Sequence, residues 1–269
     1  MGKLRVLRAA GEGKNKMITL FLGWGKQSSA LLAMSALGEI ERVDCAIHAD
    51  TGHENTFTYA YASRWTAWAE ERGIKIITVH NKKPNEIITN RVGGEIFIPA
   101  FTNTPSSKSG QLRRQCTQRW KIAPVRRWLQ SNRNKEPVEM WIGISTDEAS
   151  RMKPSGVKYI TNRWPLIELG MSRKDCERWL QDHGIEVPAK SSCVFCPFHN
   201  TNEWRATKKI IGDWNKVVDI DRRIRKVRPP YDLFVHPSRK PIEKVDLRTQ
   251  EEKGQFRLWD EECTGMCGV

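Results

Sequence analysis

The chain has 269 residues, and its 45 Lys and Arg against 31 Asp and Glu give a formal charge of +14. This length allows one large α/β domain with an appended element, and the basic excess favours polyanionic partners, with a merely solvated surface as the alternative. No stretch is apolar over the ~18 residues of a membrane span, and the N-terminus lacks the apolar core of a signal peptide. We therefore expect a cytoplasmic protein with no membrane partner.

Short β-rich runs alternate with longer amphipathic runs from Ile18 onward. ITLFLGW, VDCAIHAD and IKIITVH predict strands, and the runs between them predict helices. This alternation predicts parallel β-α-β units and a doubly wound α/β sheet with helices on both faces. A basic helix interrupted or kinked at Pro124 and a buried strand, VEMWIGIST, follow. The pattern changes after residue 163, which divides the chain into an α/β domain at 1–165 and a helical, cysteine-containing region packed on it at 166–269.

A glycine turn joins the first predicted strand to the first predicted helix. Ligands of parallel sheets bind where strand ends meet helix N-termini. Gly23 and Gly25 allow close backbone approach, Lys26 adds charge, and Ser28 and Ser29 offer hydroxyls and a helix N-cap. These residues predict a pyrophosphate cradle, although such turns also occur for purely structural reasons.

The next predicted strand ends in an acidic residue and a hydroxyl. Asp50, Thr51 and Gly52 lie in HADTGHE, and the carboxyl ends of adjacent parallel strands share one edge. Asp50 and Thr51 could contact a nucleoside or a magnesium ion bound to phosphate. We expect the two loops to meet on one ligand.

The pair LGWGKQSS and ADTGHE resembles the signature of the PP-loop ATP pyrophosphatase and phosphoadenosine phosphosulfate (PAPS) reductase superfamily, over about residues 17 to 205. The resemblance implies a five-stranded adenine-nucleotide α-hydrolase fold that binds ATP or PAPS with Mg²⁺. Gln27 matches a GGGxQS-type subgroup but is a poorer magnesium ligand than the aspartate of many members. Trp24 stands where the family has glycine, so it should either point outward to stack or weaken nucleotide binding.

Seven cysteines in a chain expected inside the cell favour metal or thiol chemistry over disulfides. Cys193 and Cys196 form a CxxC that suits zinc or an iron–sulfur cluster. The resemblance adds Cys116, because related thiolating proteins pair an upstream cysteine with a later CxxC around a 4Fe-4S cluster. Zinc held with His199 or a fourth cysteine, or thiols without a metal, are the alternatives.

The other four cysteines fall into two pairs with different predicted roles. Cys45 and Cys176 fall in predicted core positions. Cys263 and Cys267 form a C-x3-C tail, which could carry sulfur or redox chemistry, complete a cluster, or form a structural pair. PAPS reductases end in a reactive cysteine motif of different sequence, ECGLH.

Two polar stretches complete the candidate site. Asp147, Glu148 and Arg151 follow the strand VEMWIGIST, where a carboxylate could hold magnesium or act on a proton and the arginine could contact phosphate. A helix N-terminal acidic pair beside a surface arginine is the structural alternative. The stretch RWKIAPVRRW suits nucleic acid if its tryptophans are not core, and its basic residues are Arg119, Lys121, Arg126 and Arg127.

The sequence favours an ATP-dependent, iron–sulfur sulfur transferase that adenylates tRNA, DNA or a nucleotide, releases pyrophosphate and inserts sulfur, with a possible sulfur-donor protein. One alternative is a PAPS or sulfonucleotide reductase that uses a tail cysteine. Another is a nucleotide or nucleic-acid binding protein without catalysis, which Trp24 favours.

Overall fold

The computed structural model describes residues 16–80, 96–103, 110–249 and 252–254. The chain divides into two compact units. The sheet unit comprises Met1–Lys82 and Trp120–Ser191, and the cysteine unit comprises Lys83–Arg119 and Ser192–Val269. Among the described residues, no helix is long and apolar enough to cross a membrane.

Five parallel strands form the centre of the sheet unit. They are β1 (Met17–Leu22), β2 (Cys45–Asp50), β3 (Lys75–His80), β6 (Val138–Ile142) and β7 (Ile160–Arg163), in the order β3-β2-β1-β6-β7. Their apolar, β-branched runs explain the central strands, because a parallel sheet covered by helices is buried on both faces. The predicted α/β sheet is confirmed.

Helices cover both faces of this sheet, as the sequence predicts. They are α1 (Lys26–Ala36), α2 (Thr56–Glu71), α3 (Ala123–Asn132), α4 (Pro165–Glu168) and α5 (Arg173–Asp182). Successive residues of β2 enter different cores: Ala46 packs in the cluster that includes α1 and α5, and Ile47 packs in the cluster that includes α3. This alternation follows from the two-residue period of side chains along a strand.

The basic stretch before β6 is not one continuous α-helix. Thr117–Ile122 forms a π-helix, and α3 starts at Ala123 with Pro124 in its first turn. Proline fits a first turn because the amide hydrogen it lacks would have no partner inside the helix. The predicted interruption at Pro124 therefore takes the form of a change of helix type.

A small antiparallel sheet organises the cysteine unit. Its strands are β4 (Phe101–Asn103), β5 (Gly110–Gln111) and β8 (Asp232–Phe234), in the order β5-β4-β8, beside α6 (Thr201–Lys209) and α7 (Ile211–Ile224). A 3-10 turn follows at Ile242–Lys244.

The observed division differs from the predicted boundary at residue 165. Cys176, Trp179 and Leu180 of α5 belong to the core that α1 shares, so this helix lies in the sheet unit. β4 pairs with β8, which places residues 83–119 with the C-terminal residues. Long-range pairing of this kind leaves no local mark in the sequence.

Candidate functional site

The strand order places a topological switch at the candidate loop. β2 lies on one side of β1 and β6 on the other, so the loops after β1 and β6 border the point where the strand order reverses. Ligands of open α/β sheets bind at such points, outside the carboxyl ends of the strands. The predicted glycine turn therefore stands at the position where this fold binds ligands.

The amino end of α1 lacks a side-chain cap among the described residues. Gly25 is the N-cap residue of this helix. Ser28 and Ser29 are buried in the first turn, so the predicted serine N-cap is wrong. The Ser28 hydroxyl instead donates to the Gly25 carbonyl at 3.2 Å and accepts from the Gly23 amide at 3.3 Å, which stiffens the loop.

Trp24 does not point outward, and the predicted stacking role is wrong. Its backbone has a φ of 54°, the left-handed region that favours glycine, and its side chain is 1% exposed. The indole packs edge-on against Tyr61 and His48, with ring centroids 6.1 Å and 6.3 Å away. Burial of a large aromatic offsets the roughly 1–2 kcal/mol that a left-handed residue costs. The bulk of Trp24 is therefore directed into the core.

The loop after β6 approaches α1 closely at Gly143. A Cβ on Gly143 would lie 2.9 Å from the backbone nitrogen of Ser28. Only a residue without a side chain permits this approach. The two loops that border the switch point are therefore in direct contact.

Lys26, the predicted phosphate ligand, is already engaged by a carboxylate. Its Nζ lies 2.6 Å from Oε1 of Glu177 on α5, and the two side chains are 29% and 31% exposed. A phosphate bound at the α1 N-terminus would compete with Glu177 for this ammonium group. Glu177 is 151 positions away in sequence, and no local signal identified it.

Gln27 connects the first turn of α1 to the segment after β6. Its Nε2 donates to Oε2 of Glu148 at 3.0 Å and contacts the Ser145 hydroxyl at 3.3 Å. Oε1 of Glu148 contacts Arg151 at 2.8 Å and Arg173 at 2.5 Å. The structure thus brings Gln27, Glu148 and Arg151 together as the sequence suggested, and adds Arg173.

Asp147 is the more open carboxylate of this segment. Burial opposes ionisation, but hydrogen bonds from the Ser145 hydroxyl and the Arg173 amide outweigh it and hold the pKa of Asp147 below its usual value. Asp147 is exposed, whereas Glu148 is held by two arginines. Mg²⁺ commonly uses one or two carboxylates plus substrate phosphates, so Asp147 suits it better than Glu148.

The end of β2 forms a tight polar turn. Oδ1 of Asp50 accepts from the Gly52 amide and the Tyr59 hydroxyl, both at 2.8 Å, and Gly52 has a φ of 74°. The Thr51 hydroxyl accepts from the His53 amide at 3.3 Å. These bonds give Asp50, Thr51 and Gly52 a structural role in the turn, so any ligand would use their remaining acceptors.

Glu54 is a buried carboxylate that the sequence did not predict as a site residue. Its side chain is 1% exposed, and Oε1 lies 3.2 Å from Nζ of Lys121 on the π-helix. Oε2 is buried without a hydrogen-bond partner among the described residues. Lys121, predicted to bind nucleic acid, pairs with Glu54 in the structure.

The tryptophans of the predicted nucleic-acid stretch belong to the core. Trp120 is buried and Trp128 packs against the core, so the core alternative holds for both tryptophans. Arg126 and Arg127 lie on α3, whereas Arg119 belongs to the cysteine unit, 4.2 Å from the ring centre of Phe97. The second basic run is largely paired with carboxylates, at Arg222–Glu243, Arg223–Asp219, Arg225–Asp221 and Lys226–Asp232.

The three candidate cluster ligands all belong to the cysteine unit. The Cys196 amide donates to the Cys193 carbonyl at 2.9 Å, and the His199 amide donates to the Cys196 carbonyl at 3.1 Å. These two bonds form consecutive turns, one from Cys193 to Cys196 and one from Cys196 to His199. Cys116, Cys193 and Cys196 are partly exposed.

Cys116, Cys193 and Cys196 offer thiolate donors, which suit iron or zinc. Within the described ranges, no group of three or more His, Cys, Asp or Glu is placed to hold a metal ion. Cys263 and Cys267 lie outside the described residues.

Cys45 and Cys176 are core residues, as predicted. Both are buried, and burial raises the pKa of each thiol to about 12. Such thiols are unreactive at neutral pH.

A scan against protein-family models and a search of the curated proteins found no match for this chain. The resemblance to PP-loop proteins therefore rests on the loop sequences.

Proposed function

We propose that this protein binds ATP at the amino end of α1 and is an ATP pyrophosphatase-type enzyme that activates an acceptor on nucleic acid or a nucleotide. The observation that carries the proposal is the uncapped first turn of α1 at the switch point, in contact with the Gly143 loop. Free amides at a helix N-terminus bind phosphate, and Lys26 and Arg151 supply cations beside them. The formal charge of +14 favours a polyanionic acceptor.

The proposed chemistry is adenylation. An acceptor oxygen attacks the α-phosphorus of ATP, the bond from that phosphorus to the bridging oxygen breaks, and pyrophosphate leaves with the electron pair. The α1 amides and Lys26 stabilise the charge that develops on the pyrophosphate. Mg²⁺ would be bound together with the phosphates, and Asp147 is the carboxylate of this segment that would hold it.

Sulfur insertion is the second step of the proposed reaction. A sulfur nucleophile displaces AMP from the activated acceptor. Cys116, Cys193 and Cys196 are the residues that would hold a 4Fe-4S cluster, which supplies an open iron for sulfide when bound. This part rests on donor type and on the resemblance, since the described side chains gather no three-ligand group.

Exchange of labelled pyrophosphate into ATP tests the adenylation step. We expect exchange by anaerobically purified protein when tRNA or DNA is present, and a rate at least about tenfold lower for Lys26→Ala. Lys174→Ala is the matched control, because Lys174 is an exposed lysine on α5. Silence of the unchanged protein with both acceptors contradicts the proposal; sulfite release from PAPS would favour the reductase, and ATP binding without turnover would favour a binding protein.

Metal analysis tests the sulfur part separately. Iron, sulfide and zinc are quantified in anaerobic protein and in Cys193→Ser. We expect roughly four irons and four sulfides per chain, lost in the variant. One zinc without iron would remove the cluster from the proposal and leave the adenylation step to stand on its own assay.

A further inference from the structure

One face of α5 is directed at the first turn of α1. Arg173 and Glu177 are four positions apart on α5, so they share a helix face. Glu177 contacts Lys26, and Arg173 contacts Glu148, which accepts from Gln27. Successive residues of the α1 first turn are thus linked to successive turns of α5, and the Arg173 guanidinium lies beside the candidate anion site.

The Arg173 side chain keeps donors for a ligand. Its side chain is 39% exposed, and Nη2 makes the hydrogen bond to Glu148. A guanidinium has five N–H donors in a planar fork that matches phosphate oxygens. Glu148 shares the same oxygen, Oε1, with Arg151, so it fixes the direction of Arg173 without enclosing it.

The start of α5 is capped without this guanidinium. Ser172 and Asp175 form a capping box at the start of the helix, which satisfies its terminal amides. A polar replacement at Arg173 should therefore leave α5 in place. This separates a ligand-binding role from a structural one.

We infer that Arg173 is a further polyphosphate-binding residue of the candidate nucleotide site and that Glu148, held by Gln27, is its positioning residue. The inference rests on the proposed function. It assigns to α5 a part in binding that no sequence motif marks. The ligand group is the charged phosphate chain, so the nucleoside contributes nothing to this contact.

Titration calorimetry with ATP and with inorganic tripolyphosphate tests the inference on the full chain. We expect Arg173→Gln to weaken both ligands about tenfold or more, because a charge-assisted hydrogen bond is lost, and Arg173→Lys to weaken them less. Arg178→Gln is the control: Arg178 lies on α5, is 71% exposed and pairs with Asp175. It should bind both ligands as the unchanged protein does, and the three variants should unfold at similar temperatures.

Two other outcomes would overturn the inference, and a third would overturn the proposed function. Normal ATP affinity of Arg173→Gln overturns the role of Arg173 while leaving the proposed function intact. Weaker binding that Arg173→Lys fails to rescue, together with a lowered unfolding temperature, makes Arg173 structural and also overturns the inference. If the unchanged protein binds neither ATP nor tripolyphosphate, the proposed function itself fails.

Discussion

Each unit contains a buried carboxylate beside a basic side chain, and the two differ in how many of their oxygens are satisfied. Asp221 on α7 is 1% exposed; Oδ1 accepts from the Val235 amide at 3.0 Å, and Oδ2 accepts from the Ile242 amide at 3.1 Å and from Arg225. Glu54 is equally buried; Lys121 and Thr51 contact its Oε1, and Oε2 has no hydrogen-bond partner in the part of the chain that the structure describes. A carboxylate with both oxygens hydrogen-bonded is typical of a structural hub. Oε2 of Glu54, after the end of β2, is instead an acceptor that no described donor uses.

The largest effect is expected at Asp221. In Asp221→Asn, either orientation of the amide directs its NH₂ group at a backbone N–H, and Arg225 loses its counter-charge. We expect a loss of about 3 kcal/mol or more in the free energy of unfolding, measured in urea. Asp219→Asn is the control, since Asp219 is exposed and pairs with Arg223 on the same helix. Equal, small losses in both variants would contradict a structural hub.

Gly143 is the next most sensitive position. Gly143→Ala places a Cβ 2.9 Å from the Ser28 nitrogen, so the α1 first turn must shift. We expect a cost of about 1–3 kcal/mol in the free energy of unfolding and weaker ATP binding, by urea unfolding and calorimetry.

Gly212→Ala is the matched control for Gly143→Ala. A Cβ on Gly212 of α7 meets nothing within 4 Å, so this change should be neutral or stabilising. Unchanged ATP affinity in Gly143→Ala would separate the close approach of the two loops from ligand binding.

The strands and helices of the sheet unit follow from local pattern, which explains why the sequence predicted them. Leu20 and Ile47 alternate with neighbours that face the other side, and the nearby residues Ser172 and Asp175 form the capping box that starts α5. The glycine turn after β1 was located for the same reason, because strand, turn and helix are contiguous in the chain.

The partners of the predicted residues could not be found in this way. Lys26 meets Glu177 and Lys121 meets Glu54, pairs that are 151 and 67 positions apart. Aromatic residues in a basic stretch can either stack on bases or pack in a core, and Trp120 on the π-helix is buried in the core. Spacing gives the residue types of a site, while tertiary contacts decide which of them remain available.

A substitution at Glu177 is expected to raise the affinity for ATP moderately, whereas Gly143→Ala is expected to lower it. Glu177→Gln removes the carboxylate that competes for Lys26, so ATP should bind severalfold more tightly, by calorimetry at low salt. The gain should shrink at high ionic strength because the contact is partly exposed. Asp182→Asn, an exposed change on the same helix, should leave affinity unchanged. Weaker binding in Glu177→Gln would mean that Glu177 orients Lys26 for the ligand.

Glu54 is expected to show the smallest effect and to complete the contrast with Asp221. In Glu54→Gln, the carbonyl can take the place of Oε1 and accept from Lys121, while the NH₂ group occupies the position of Oε2, which has no described donor opposite it. Lys121 is 28% exposed and can turn toward solvent. Urea unfolding should therefore change by less than about 1 kcal/mol, against the much larger loss at Asp221. A loss as large as that of Asp221→Asn would mean that Oε2 accepts a hydrogen bond in solution, as from a buried water, and the two carboxylates would then have the same role.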